Sequence, residues 1–249
     1  MTQSLSHSVR SAVEATGYQI RKTSVYSSQK LRYSKLFSLL GIDLLIDVGA
    51  NAGQFATLVR NHGYQGAILS FEPSSAAHRE LVKAAATDPL WTVADRMALG
   101  AAAGEVEINI AANSFSSSIL PMLDTHLCAA PQSQYIQREH VPMHRLDDVL
   151  PDDADSSTIF LKLDVQGFEP QVLSGAAHTL SRTSAVQLEM SLLPLYEGEL
   201  LLPQMCSTMS AKGFDLWDLE PSFRDPATGR LLQVDGIFTR QTVSPNSKR

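Results

Sequence analysis

The run LLIDVGANAGQF, residues 44–55, constrains this chain more than any other stretch. Apolar residues lead into Asp47 and Val48, and Gly49 and Gly53 then bracket Ala50, Asn51 and Ala52. GQFATLVRNHG (53–63) has helical periodicity, so the segment reads as buried strand, glycine turn, helix. A strand that feeds a helix through such a turn opens a doubly wound sheet, in which ligands bind at the carboxyl edge of the strands. Gly49 lets the chain turn sharply at the strand end, and Gly53 lets a ligand approach the backbone at the helix start.

The same alternation continues. GAILSFEP (66–73) reads as a strand and SSAAHRELVKAAA (74–86) as a helix capped by Ser74 or Ser75. A third strand falls within 91–100, and EVEINIAA (105–112) alternates like an exposed edge strand. STIFLKLDVQG (157–167) and AVQLEMS (185–191) are strands, each followed by a helical pattern, at 168–180 and at 198–213. FDLWDLE (214–220) and LLQVDGIFTR (231–240) make a closing pair of strands. The expected fold is α/β: a doubly wound, mostly parallel sheet in one domain over 41–249, preceded by a basic helical extension over 1–40. Residues 113–139, rich in Ser, Gln and Pro, break the alternation as a long inserted loop and are the candidate substrate-facing region.

Charge and cysteine usage narrow the function. Of a net charge of −6, residues 1–40 carry +5 and the remainder −11. An acidic body lacks the continuous basic surface that nucleic acid requires, while the basic arm suits peripheral contact with an anionic membrane surface. No apolar run is long enough for a membrane span, and the N-terminus has no apolar core of a secretory signal. With only Cys128 and Cys206, two reduced thiols in a cytoplasmic protein are expected.

The glycine loop is G-x-N-x-G, with Asn51 where a dinucleotide fingerprint has its middle glycine. That position must let a pyrophosphate approach the backbone closely, so the loop suits a ligand with an adenosine and no phosphate. Glu72 closes the second strand, where a carboxylate binds ribose hydroxyls. Asp47 stands beside the loop, placed to attract an ammonium group or to order the loop's N–H groups.

In order along the chain, DVGANAGQF, FEP (71–73), ALG (98–100), RLDDVL (145–150), LKLDVQGFE (161–169), VLSGA (172–176) and QLEMS (187–191) resemble the FkbM-type family of S-adenosylmethionine-dependent methyltransferases. The resemblance spans roughly residues 42–220. It implies a class I methyltransferase, Rossmann-like fold: seven strands, mostly parallel, the last antiparallel. It also implies that the glycine loop (Gly49, Asn51, Gly53) holds the methionine part of the cofactor and Glu72 the ribose. The implied reaction is methylation of a hydroxyl on a sugar, glycolipid or polyketide-type metabolite. Gln166 departs from the pattern, since many relatives carry Glu there.

Methylating a hydroxyl calls for a base or a metal ion. Asp164 and Glu189 end neighbouring strands and are the first candidates, as base and hydrogen-bond acceptor; as a lesser option, they hold Mg²⁺. His140 and His144 are further candidate bases. Four apart in an extended segment, they stand about 13 Å from each other and are no ligand pair. His126 in the loop is a third candidate base, with a surface position the better reading for each histidine. Asp95 and Met97, after the third strand, are placed to read adenine. Two rivals remain: an NAD-linked sugar oxidoreductase on the same architecture, and a cofactor-binding module without catalysis.

Overall fold

The computed structural model describes residues 9–20, 22–151 and 157–241. Residues 1–8 and Arg21 of the expected extension lie outside that description. Residues 9–14 are helical, and helix α1 (Gln29–Leu40) follows after a turn-rich stretch. The side chain of Ser28 caps α1 through the N–H of Leu31, and Gly41 ends it in a left-handed conformation. Tyr33, Leu36 and Phe37 of α1 are buried in the core. Residues 29–40 are therefore packed onto the body of the domain and do not stand off as an arm.

Seven strands form the main sheet: β1 (Leu44–Val48), β2 (Ala67–Phe71), β3 (Trp91–Val93), β7 (Ile159–Leu163), β8 (Thr183–Ser191), β9 (Phe214–Arg224) and β10 (Leu231–Arg240). Their spatial order is β3-β2-β1-β7-β8-β10-β9. Neighbours from β3 through to β8 pair in parallel, and β10 pairs antiparallel with both β8 and β9. This is the class I methyltransferase arrangement, with the last strand in sequence reversed. Strands β1 and β7 are buried along their whole length, as central strands covered on both faces must be. Two apolar clusters, one around Ile46, Leu161 and Leu188 and one around Leu45, Ile68 and Phe160, flank the sheet. They place helices α2 (Gln54–Arg60) and α3 (Ser75–Ala85) against it.

A second sheet was not legible from the sequence. Strands β4 (Ala98–Leu99), β5 (Gly104–Ala111) and β6 (Tyr135–His144) lie in the order β4-β6-β5 around Ala98, Ile108, Ile110 and Val141. The segment β5 is thus an edge of this small sheet and not of the main one. Strand β6 also takes Tyr135–Glu139 out of the expected 113–139 loop. The rest of that loop is ordered. It contains helix α4 (Asp124–Ala129) and two single turns of tighter helix, with Ala129 packed on Leu195, Tyr196 and Leu232.

The expected helix over 168–180 is two helices, α6 (Glu169–Ser174) and α7 (Ala177–Arg182), after a short α5 (Leu146–Val149). The break falls at Gly175, whose backbone packs so tightly on the Gly100 carbonyl that a Cβ would lie 1.9 Å from that oxygen. Helix α8 (Leu202–Ala211) starts with Pro203 in its first turn, where the missing N–H costs nothing. Both cysteines are unpaired. Among the described residues no helix is long and apolar enough to cross a membrane.

Candidate active site

The carboxyl ends of β1, β2 and β7 open into a cleft of about 900 Å³, within the usual size of a small-molecule site. Gly49 lines it at φ +74, a conformation that favours glycine. A Cβ there would lie 1.9 Å from the Asp164 carbonyl oxygen, so β1 and β7 can meet this closely only through a glycine. The N–H groups of Gly49 and Ala50 both donate to the Phe71 carbonyl, tying the loop to the end of β2. Gly53 does not line the cleft. Its Cβ would fall 2.7 Å from the Trp91 ring and 3.1 Å from Leu81, so its smallness serves packing and not approach of a ligand.

Glu72 is 6% exposed and lines the cleft. One carboxylate oxygen accepts the Asn51 N–H at 2.9 Å and the other the Ser74 N–H at 2.8 Å. Asn51 reaches that bond from φ +48, a left-handed backbone that asparagine tolerates better than most residues. Burial pushes the Glu72 carboxyl up to about 7, against the pull of the two amides. Each oxygen keeps a second lone pair, which is what a ribose diol needs.

Asp47 is 0% exposed and reaches neither the cleft nor the loop amides. It pairs across the β1–β7 register with Lys162, whose Nζ lies 3.3 Å from Asp47 and 3.4 Å from Asp164. Among the described residues neither Asp47 oxygen has a well-aligned hydrogen bond, so the contact is an ion pair by distance alone. Burial pushes Asp47 up, and it also works against the Lys162 charge. The acids Asp47, Asp164 and Asp235 outweigh that and hold the ammonium above its ordinary range. Two acids around one ammonium favour the ionised arrangement. Sequence reasoning made nothing of Lys162, although residues two apart on a strand share a face and so put it beside Asp164.

Asp164 lines the cleft and Glu189 lines a second, adjoining pocket. The Gln166 amide joins them, donating to Asp164 at 2.9 Å and to Glu189 at 2.5 Å. Laid end to end, those bonds cap the separation of the two accepting oxygens at 5.4 Å. Tyr196 donates to the Gln166 carbonyl oxygen at 2.6 Å, which fixes the amide with its NH₂ toward the acids. Gln166 sits at φ +54, and Ser118 donates to its backbone carbonyl at 2.7 Å. Glu169, pushed up to about 8 by burial, accepts the Val165 N–H and closes the same turn. Nothing in the sequence marks a left-handed glutamine, so the residue that organises both carboxylates read only as a departure.

The remaining candidates separate. Met97 lines the cleft, but Asp95 is exposed outside it, and Arg96 beside it is committed to Glu139 and to backbone carbonyls. His140 has a side chain 77% exposed and stands near Glu107 on the second sheet. His144 faces neither cavity, and its carbonyl accepts the Gly100 N–H. Both lie on β6, which the second sheet carries away from the carboxyl edge of the main one. His126 is buried, not at the surface, between the rings of Tyr196 and Phe223. Residues 114–119 of the inserted segment line the cleft, and Ser114 meets the Asn51 amide at 3.2 Å.

The donor set fits an adenosyl sulfonium and not a dinucleotide. Lys162 is the cleft's cation among the described lining residues, and Asp47 and Asp164 already hold it. No positive charge is left for a pyrophosphate, whereas Glu72 and Asp164 suit a cationic ligand. A family model described as the methyltransferase FkbM domain matches residues 47–216. The chain belongs to the FkbM methyltransferase family. The matched segment contains Asp47, Glu72, Asp164, Gln166 and Glu189, and the methyl donor is S-adenosylmethionine.

Solved structures with a related fold include magnesium protoporphyrin IX methyltransferase from Synechocystis, with bound S-adenosylmethionine. It is 12% identical at a TM-score of 0.44, over 93% of this chain and 95% of that one. Another is a 1,6-didemethyltoxoflavin-N1-methyltransferase from Burkholderia thailandensis with bound S-adenosylhomocysteine. It is 10% identical at a TM-score of 0.45, over 86% and 80% of the two chains. No curated protein matches the chain in sequence.

Proposed function

We propose that this FkbM methyltransferase transfers its methyl group to a hydroxyl oxygen of a small molecule. The observation that carries the reading is the carboxylate pair at the ends of β7 and β8, joined through Gln166 within 5.4 Å. Bound S-adenosylmethionine supplies an electrophilic methyl group, and the chain's task is then to position the acceptor oxygen and remove its proton. Glu72 and the 49–51 backbone hold the adenosine end of the cleft. Asp164, at the cleft wall, takes the proton of the acceptor hydroxyl as the carbon–oxygen bond forms. Glu189, with one oxygen already engaged by the Gln166 and Gln233 amides, accepts a hydrogen bond from the acceptor. An amine acceptor needs no such base when it arrives unprotonated, so the carboxylate pair favours oxygen over nitrogen. Among the described residues no three His, Cys, Asp or Glu side chains gather as a metal cage, and Asp164 and Glu189 share an amide instead.

The test is transfer of a labelled methyl group to hydroxylated and amine acceptors by wild type and Asp164→Asn. Loss of a general base costs about 10²–10⁴ in kcat, with cofactor binding retained. Full activity of the Asn variant, or transfer to amines alone, sinks the proposal.

A further inference from the structure

Behind Gln166 lies a second pocket of about 530 Å³, which shares Phe115 and Gln166 with the cofactor cleft as a common wall. We propose that this pocket is where the acceptor sits, and that it admits neutral, hydroxyl-rich molecules while turning anionic ones away. The inference deepens the methyltransferase reading above and rests on it.

The lining argues for the class. Phe115 and Phe223 offer apolar faces, and Asn113, Gln132, Ser133 and Gln233 offer amides and hydroxyls. Among the described lining residues there is no Lys or Arg, and Glu189 is the one carboxylate. Its Oε2 accepts the Gln166 and Gln233 amides, the latter at 3.1 Å. Its Oε1 takes no hydrogen bond among the described residues, so the open valence at the pocket is an acceptor that only a donor such as a hydroxyl can meet. A carboxylate or phosphate brought to the same place meets like charge.

The remaining wall supplies no compensating cation. His126 is 3% exposed, and burial pushes its imidazole down to about 4, so it is neutral at physiological pH. Its Nε2 lies 3.2 Å from the Ser133 hydroxyl, which accepts the Asn113 amide at 3.0 Å and lies 3.0 Å from the Ser116 hydroxyl. That buried network fixes a neutral polar floor. The field from behind is acidic as well. Burial, followed by Asp164, Asp235 and Glu169, pushes Glu189 well above the usual carboxylate range, with Lys162 the one opposing charge named and already held by Asp47 and Asp164.

The test uses labelled S-adenosylmethionine and matched acceptors: the methyl glycosides of glucose, rhamnose and fucose against methyl glucuronide and methyl glucoside 6-phosphate. Transfer to at least one neutral glycoside, with kcat/KM about tenfold or more above the anionic members, is the expected result. Gln132→Arg places a cation at the exposed rim and narrows that preference by about fivefold; Gln233→Lys does the same from the buried side. S-adenosylhomocysteine titration of every protein reports separately on the cofactor cleft, which neither variant lines. Equal transfer to anionic members, or transfer to none by a protein that binds S-adenosylhomocysteine, overturns the acceptor assignment. An unchanged preference in two cofactor-competent variants overturns it too. A wild type that does not bind S-adenosylhomocysteine brings down the underlying reading, and the acceptor site with it.

Discussion

Glu72 gives the sharpest test of the cofactor cleft, because its charge changes within the pH range where the protein is handled. Its carboxyl is pushed up to about 7 by burial, from an ordinary 4.5. At pH 6 roughly a tenth of the free protein carries Glu72 ionised, and at pH 8 roughly nine-tenths does. Both oxygens already accept backbone N–H groups, from Asn51 and Ser74. A proton on either oxygen therefore disturbs one of those bonds and removes acceptor capacity that a ribose diol uses. S-adenosylhomocysteine should select the ionised form, so its affinity should rise with pH by about tenfold, or about 1.4 kcal/mol, between pH 6 and 8. Calorimetric titration at intervals across that range measures the slope directly.

Glu72→Gln is the matched control. Its amide can accept one of the two backbone N–H groups but turns an NH₂ toward the other, and an unpaired buried N–H costs about 1–3 kcal/mol. Binding should be weaker at every pH and nearly independent of it. Asp235, pushed up to about 6, and Glu169, to about 8, also titrate nearby, and the variant retains both. The difference between the two slopes therefore belongs to Glu72. A flat wild-type profile, or an equal slope in the variant, refutes the assignment of Glu72 to the ribose.

The same groups set the stability of the free protein. A raised acid binds its proton more tightly folded than unfolded, so its penalty is absent below the unfolded pKa and grows as pH rises toward the folded one; for Glu72 that amounts to about 3 kcal/mol between roughly pH 4.5 and 7. Scanning calorimetry should show Tm falling from pH 5 to 8, less steeply in Glu72→Gln. Lys162→Met strands Asp47 at 0% exposure and should cost about 3–5 kcal/mol in denaturant unfolding, with Asp47→Asn added to it recovering most of the loss. Equal losses in the single and double variants would count against the ion pair. Gly49→Ala puts a methyl 1.9 Å from a carbonyl oxygen, so it should abolish S-adenosylhomocysteine binding or the fold; a stable variant that binds the cofactor would contradict the β1–β7 approach.

Much of this architecture was legible because period and punctuation agree. Buried strands, glycine turns and helices alternate from Leu44 onward, and the acid at the end of β2 falls where that alternation demands a ribose ligand. The second sheet left no such trace. Its strand β4 is two residues long, and β6 opens with Gln137, Arg138 and Glu139, whose polar run reads as loop until β5 pairs with it. Gly53 misled for a related reason. Its neighbour is Trp91, distant in sequence, and only the packed fold reveals that the ring and not a ligand needs the space. Lys162 was accessible to strand alternation, whereas Gln166 was not, because its role depends on a left-handed turn and on Tyr196 approaching from another element.

What connects these residues is charge. The carboxyl edge gathers Asp47, Glu72, Asp164, Glu189 and Asp235 around one ammonium, a costly arrangement for a free protein. It makes sense if the cleft receives a cation. Methyl transfer removes the positive charge from the cofactor, so an acidic cleft holds the donor more firmly, relative to the spent product, than a neutral cleft can. Asp164 is about a third exposed, so its share is modest: about 1 kcal/mol, or roughly fivefold. Asp164→Asn should therefore weaken S-adenosylmethionine binding about fivefold more than S-adenosylhomocysteine binding, since only the first carries the sulfonium. Parallel titrations of the two cofactors against the two proteins measure the difference without any acceptor. If both affinities fall together, Asp164 holds the cleft's shape and not its charge, and the acids at this edge need another explanation.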